Sequence, residues 1–297
     1  MKTPSICIFG EVLLDCFPDG RQILGGAPFN VAWNLQAFGA APRFLSAVGT
    51  DEAGERIRSG MVEWGMDTSG LQTDPDHPTG RVEVSVHNGE PSYDILLDCA
   101  YDFIRAPKDA GDCGVLYHGT LALRRPVSAA ALQSIKASTP HQVFLDVNLR
   151  EPWWSRDAAL TLVTEADWVK LNRDELLRLS EPDDARTDMI DLARTFLDRH
   201  QLNGIVVTLG EAGALALTPE TEPVLVAPQP ALEVVDTVGA GDAFASVTIL
   251  GITRGWPLAT TLERAQSFAS LVVGQRGATV ADPEFYRPFI DRWGLHS

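Results

Sequence analysis

Positive charge is scarce in this chain. Its 297 residues hold 24 Lys and Arg against 40 Asp and Glu, a formal net charge of −16, and the isoelectric point lies near 4.7. Such a surface repels phosphate backbones and anionic headgroups, so neither nucleic acid nor membrane is expected as a partner. An anionic small molecule then needs a local site that works against the global field, built from backbone N–H groups, a helix terminus or a bound cation. Cysteine is equally sparse. Cys7, Cys16, Cys99 and Cys113 are far apart, with no C-x-x-C pair and no histidine cluster at ligand spacing. That argues against a zinc site and reads as reduced thiols.

Long apolar runs are missing too. Mean hydropathy is near zero, and no run approaches the roughly 18 residues of a membrane span. The opening "MKTPSICIFGEVLLDCF" is cut at Glu11 and followed by no small-residue cleavage site. It reads as a first core strand of a cytoplasmic protein rather than a signal peptide. Several chemical fingerprints are absent as well: GxxxxGK[ST], GxGxxG after the first strand, HExxH and GxSxG. P-loop, dinucleotide-dependent, metalloprotease and nucleophile-elbow chemistries drop out.

What is present is alternation. Strands are expected at 5–10, 43–49, 114–119, 142–148, 167–172, 204–210 and 213–218, and helices at 28–39, 52–65, 128–138, 157–165, 187–201, 242–254 and 259–274. Several strands are apolar throughout, as strands covered on both faces are. The pattern predicts an α/β fold with a mainly parallel central sheet flanked by helices, one domain over 1–297. Ligands then gather at the C-terminal strand ends. One region departs from this. Val82, Val84 and Val86 alternate with polar residues, Asn88-Gly89 supplies a hairpin turn, and Tyr93, Ile95 and Leu97 alternate again. Together with a broken stretch at Pro18-Asp19-Gly20, this predicts a small β-sheet lid formed by about 12–24 and 79–104, whose exposed edges invite a homodimer.

Polar and glycine-bearing segments fall at four expected strand ends and at two loop-to-helix junctions. "DTVGAGDAFAS" (236–246) places Gly239, Ala240 and Gly241 before Asp242 and an apolar helix. Glycines let successive N–H groups converge, and the helix N-terminus adds its unpaired donors and positive dipole end. The loop suits a transferring phosphoryl group, with Asp242 as base for the attacking hydroxyl; read alone, Asp242 is equally an ordinary helix cap. "GGAPFNVAWNLQAFG" (25–39) opens a second helix at Pro28, with Asn30 in its first turn. Asp15 is an isolated acid past the first strand. "LDVNLREPWW" (145–154) ends a strand with Asp146, Asn148 and Arg150; "VKLNRDEL" (169–176) ends the next with Asn172 and Glu175; "VVTLGEAG" (206–213) brings Thr208, Gly210 and Gly213.

Taken in order, "GGAPFNVA", "DVNLR", "VKLNRDE", "TLGEAGA" and "DTVGAGDAF" resemble the signatures of the ribokinase-like, phosphofructokinase-B type, carbohydrate kinases. The likeness runs from "FGEVLLDCFP" to "GQRGAT". "GEVLLD", "AYDFI", "HGTLALR" and "DVNLREPWW" are most similar to bacterial fructokinases. The resemblance implies a ribokinase-like three-layer fold and MgATP-dependent phosphorylation of a sugar hydroxyl. By position, Asp242 would be the base and the N–H groups of Gly239, Ala240 and Gly241 an anion hole. Asp15, Gly26 and Asn30 would hold the sugar, with Arg150 near it. Asn172, Thr208, Gly210 and Gly213 would meet the nucleotide, and Glu175 would act on Mg²⁺ indirectly. Asp236, Val238 and Gly277 match loops that bind K⁺ in some members. Another small sugar, a sugar acid or a nucleoside is the alternative acceptor. A non-catalytic sugar or nucleotide sensor on the same fold is the alternative of a different class.

Overall fold

Successive residues of the first strand are all buried, yet they serve two cores. Ile6 and Ile8 join one hydrophobic cluster, Cys7 and Phe9 another. Side chains alternate across a strand, so a continuous apolar run marks a sheet covered on both faces. The computed structural model describes residues 4–87, 90–107, 111–138, 142–184, 187–228, 237–275 and 277–296. Its strands are β1 (Ile6–Phe9), β2 (Leu13–Cys16), β3 (Gln22–Gly25), β4 (Arg43–Gly49), β5 (Leu71–Asp74), β6 (Gly80–His87), β7 (Glu90–Ile95), β8 (Val115–His118), β9 (Gln142–Asp146), β10 (Trp168–Asn172), β11 (Gly204–Thr208), β12 (Ala214–Leu217) and β13 (Val224–Val226). Its helices are α1 (Ala27–Ala37), α2 (Glu52–Glu63), α3 (Pro126–Ser138), α4 (Arg156–Thr164), α5 (Arg173–Leu179), α6 (Met189–His200), α7 (Ala240–Arg254), α8 (Leu258–Val272) and α9 (Pro283–Trp293).

Nine strands form the main sheet in the order β13-β12-β11-β10-β9-β8-β1-β4-β5. From β11 to β5 the pairing is parallel; β12 and β13 run antiparallel at one edge. On one face the core joins Ile6, Ile8, Phe44, Tyr117 and Val206 to α1, α2, α7, α8 and α9. On the other face Cys7, Phe9, Leu45 and Leu116 pack with α3, and Val169, Leu171, Ile205 and Val207 pack with α4, α5 and α6. This is the expected three-layer α/β fold. Two of its helices are not amphipathic. All residues from Pro28 to Leu35 in α1 are buried, as are nearly all from Ala243 to Thr253 in α7. The two pack against each other beneath the sheet rim, so polar residues inside them, such as Asn30 and Asn34, need internal partners.

The small sheet is separate, ordered β3-β2-β6-β7. It is mixed rather than a plain hairpin: β2 runs parallel to β6, and the other pairs are antiparallel. Val82 and Val84 face inward as expected, packing with Leu13 and Tyr101; the Asn88-Gly89 turn lies outside the described residues. Past β7 the chain leaves the sheet. Leu97 is exposed, and the 3-10 turn Ala100–Phe103 packs on β4, β5 and α3 of the main body. All four cysteines are free thiols. Among the described residues no helix is long and apolar enough to cross a membrane.

Candidate active site

Parallel strands point one way, so β1, β8, β9, β10 and β11 all end on a single rim of the main sheet. Asp146 and Lys170 are cross-strand partners just below that rim. Lys170 Nζ donates to both carboxylate oxygens, at 3.0 and 2.9 Å, and the Tyr117 hydroxyl reaches Asp146 at 3.5 Å. Both charged groups are buried. Burial works against the Lys170 ammonium, yet the charge and hydrogen bonds of Asp146, with the Asp242 and Glu175 charges, together outweigh it and hold the pKa above the ordinary lysine value.

Above this pair starts α7. Its N-cap is Gly239, at φ 83°, with no side-chain cap. A side chain at Gly239 would meet Ala278 at 2.3 Å, so both the backbone angle and the packing demand glycine there. Asp242 is therefore the third residue of the helix, not its cap, which removes the capping alternative. Its carboxylate instead accepts from Asn30 Nδ2 at 2.8 Å. That single bond joins the two glycine-rich segments across 212 residues of sequence. Burial pushes the Asp242 pKa up to about 6; the Asn30 hydrogen bond and the Lys170 and Arg150 charges pull against the shift, and the Asp146 charge adds to it. Ala240 N–H makes only a long 3.4 Å bond to Thr237, and the N–H groups of Gly239 and Gly241 take no partner among the described residues. A side chain at Gly241 would meet nothing closer than Lys170 Nζ, at 3.5 Å. Packing does not require glycine there, and the space above it is open. These bare donors fit a phosphate.

Asp15, Gly26 and Asn30 lie around the start of α1. Asp15 lies on β2, and its Oδ2 sits where a side chain at Gly25 would begin, 2.6 Å away. Gly26 has φ 104°, and a Cβ there would strike the Glu11 carbonyl at 2.7 Å. Asn30 follows in the first turn of α1. Arg150 is exposed on the loop after β9 and acts on Asp242 through its charge.

On the other side, Asn172 and Glu175 form a reciprocal cap at the start of α5. Asn172 Oδ1 accepts from Glu175 N at 2.9 Å, and Glu175 Oε2 from Asn172 N at 2.8 Å. Glu175 Oε1 accepts from Leu149 N at 2.8 Å. Burial raises the Glu175 pKa. With both oxygens serving backbone donors, Glu175 fits only an indirect part in holding a cation. No group of three His, Cys, Asp or Glu stands ready for a metal among the described residues. A Mg²⁺ held mainly by nucleotide phosphates and water suits this arrangement. Thr208 ends β11 beside Asn172. Gly210 takes φ 58° with open space around it, whereas a side chain at Gly213 would overlap the Val226 carbonyl of β13 at 1.8 Å. The glycine at 213 is thus dictated by strand packing. Asp236 lies outside the described residues. Val238 and Gly277 are brought close through the Gly239–Ala278 contact, and Gly277 also lies 3.2 Å from Ile23 of β3 by the same measure.

Lys170 and Glu11 escaped the reading of the sequence. The first has a signal: a lysine inside the otherwise apolar "WVKLN" strand is an inward charge that needs a partner. Glu11 read only as a break in an apolar run, but it is buried.

The pfkB family carbohydrate kinase profile matches residues 7–284. A fructokinase from Klebsiella pneumoniae is 30% identical over 94% of this chain and 96% of its own length. An aminoimidazole riboside kinase from Salmonella typhimurium is 28% identical over 94% and 92%. Among solved structures, a fructokinase from Vibrio cholerae O395 in fructose, ADP and calcium ion bound form superposes with a TM-score of 0.82 at 25% identity, covering 96% of this chain and 98% of that one.

Proposed function

The chain belongs to the pfkB family of carbohydrate kinases, and from that premise we propose that it is a fructokinase, moving the γ-phosphoryl group of ATP onto a hydroxyl of free fructose. The observation that carries the reading is the Asn30–Asp242 hydrogen bond, which sets an acid of raised pKa at the open N-terminus of α7. Asp242 is the base. A pKa of about 6 leaves it ionised at neutral pH, yet close enough to neutrality to hold a proton as transfer completes. The N–H groups of Gly239, Ala240 and Gly241 receive the charge that spreads over the moving phosphoryl oxygens. Asn30 orients Asp242, while Asp15 and Gly26 shape the acceptor side and Arg150 supplies positive charge beside it. Asn172, Thr208 and Gly210 line the nucleotide side, and Gly213 holds that loop against β13. Mg²⁺, carried in with ATP and steadied through Glu175, would supply charge neutralisation to the phosphates. Val238 and Gly277, joined by Asp236 as the resemblance implies, would hold a K⁺ that would supply positive charge to the anion hole. The small sheet is the cover that keeps water from the phosphoryl group.

A second acceptor class is favoured by one finding: the riboside kinase relative is nearly as similar as the fructokinases. ADP release measured over a panel of ketoses, aldoses, sugar acids and ribosides decides between them. Fructose should give the highest kcat/KM. A riboside preferred by tenfold or more replaces the fructokinase reading. Turnover of none, with ATP still bound, favours a sensor.

A further inference from the structure

Around Glu11 and Asn30 some buried polar atoms are left unmet. Glu11 Oε2, Asn30 Oδ1 and Arg124 Nη1 are all buried without a hydrogen-bond partner among the described residues. Native proteins rarely tolerate such atoms unless something else meets them. Asn30 already belongs to the site. Glu11 has been given no part in it.

Glu11 follows β1 at the sheet rim and is only 3% exposed. Its segment is wedged against the start of α1. A side chain at Gly10 would strike Pro28 Cγ at 2.4 Å, and one at Gly26 would strike the Glu11 carbonyl at 2.7 Å. The same helix turn carries Asn30 to Asp242. Arg150, Asp242 and Arg124 are the charges that act on the Glu11 carboxyl. Neither arginine is its ion-pair partner. Arg124 is held by Asp102, Nε to Oδ1 at 2.7 Å and Nη2 to Oδ2 at 2.8 Å, and lies over the rings of Tyr101 and Trp153. Asp102 takes Nε and Nη2 of Arg124 and leaves Nη1 unmet, so Glu11 has no counterion and its Oε2 stays buried without a partner among the described residues.

We propose that Glu11 is a specificity-determining residue of the acceptor site, its carboxyl bonding a hydroxyl of the bound polyol other than the one Asp242 deprotonates. The inference rests on the sugar-kinase reading above. Burial pushes the Glu11 pKa up to about 7, so the group meets a hydroxyl either as acceptor or as donor. A polyol with adjacent hydroxyls satisfies Asp242, Asn30 and Glu11 together; a single alcohol does not.

The test compares the wild-type chain with Glu11→Gln and Glu11→Leu, using the best acceptor from the panel and its monodeoxy analogues. Glu11→Leu should lower kcat/KM for the acceptor roughly 10- to 100-fold, with KM for ATP within twofold. Glu11→Gln should recover part of that loss. Both should melt no lower than wild type, because an unpaired buried carboxyl has been removed. One monodeoxy analogue should be poor for wild type and lose nothing further in Glu11→Leu. Acceptor kinetics within twofold of wild type in both variants overturn the proposal. So does a parallel rise in both KM values with a lower melting temperature, which marks a structural role. If the wild-type chain phosphorylates no polyol at all, the functional reading fails first and takes this inference with it.

Discussion

Asp242→Asn tests the chemistry and the electrostatics at once. Asn keeps the shape of the side chain and still accepts from Asn30 through its carbonyl, but it takes no proton. Turnover should fall by roughly 10²–10⁴, the weight of a general base. Stability should move the other way. The Asp242 pKa is raised from 3.8 to about 6 in the folded chain, chiefly by burial. A carboxyl raised in this way contributes stability that is fully present below the unfolded value and lost as pH rises through the folded one. Above pH 6 the ionised group is therefore a cost. At about 1.4 kcal/mol per pH unit the cost approaches about 3 kcal/mol, reduced by solvent reaching the half-buried carboxylate. The Asn variant should melt higher than wild type at pH 7.5, and the two should converge near pH 4. Wild-type kcat/KM should fall about tenfold per unit below pH 6, and the residual activity of the variant should lack that limb. ADP release and thermal melts between pH 4 and 8 read both effects. A variant that turns over normally, or that melts lower than wild type at pH 7.5, refutes the reasoning.

Further outcomes follow from the same geometry. Lys170→Met leaves Asp146 buried and unpaired, and should cost about 3–5 kcal/mol in a denaturant melt; adding Asp146→Leu should return most of it. Gly241→Ala meets only ordinary contact inside a helix, so it should raise stability by up to about 1 kcal/mol, while its methyl, crowding the phosphoryl oxygens off the retained N–H groups, should lower kcat/KM roughly tenfold. Gly213→Ala, driven into the Val226 carbonyl at positive φ, should unfold the edge of the sheet and lower the melting temperature. An unchanged melt for Gly213→Ala would show that β13 yields, and that glycine there has another purpose.

The layers were legible because β1, β4, β8 and β11 are largely apolar on both faces, as strands of a covered sheet are. Elements hidden in the sequence have physical excuses. Strand β13 is three residues long and half exposed, and β5 buries only Leu71 and Asp74. Helix α5 follows β10 without a loop, so its capping pair Asn172–Glu175 read as a strand-end motif. Helix α9 carries Tyr286, Phe289 and Trp293 on one buried face, but Pro288 inside it argues against a helix. At the site, glycines and acids were visible as residue types. Which of them met was not. The Lys170–Asp146 pair depends on strand register, and the burial of Glu11 depends on how α1 docks against the loop after β1. Neither leaves a local pattern.

One bond carries a consequence for how the enzyme comes into being. Asp242 is oriented by Asn30, and Gly239 is seated by Ala278, while Val280 takes the Trp33 indole N–H through its carbonyl. Segments 247 residues apart in sequence must therefore meet before the acid is aimed. A chain whose 278–280 segment has not docked can hold all of its sheet and still leave Asp242 unaimed. Competence arrives with that docking, not with the sheet.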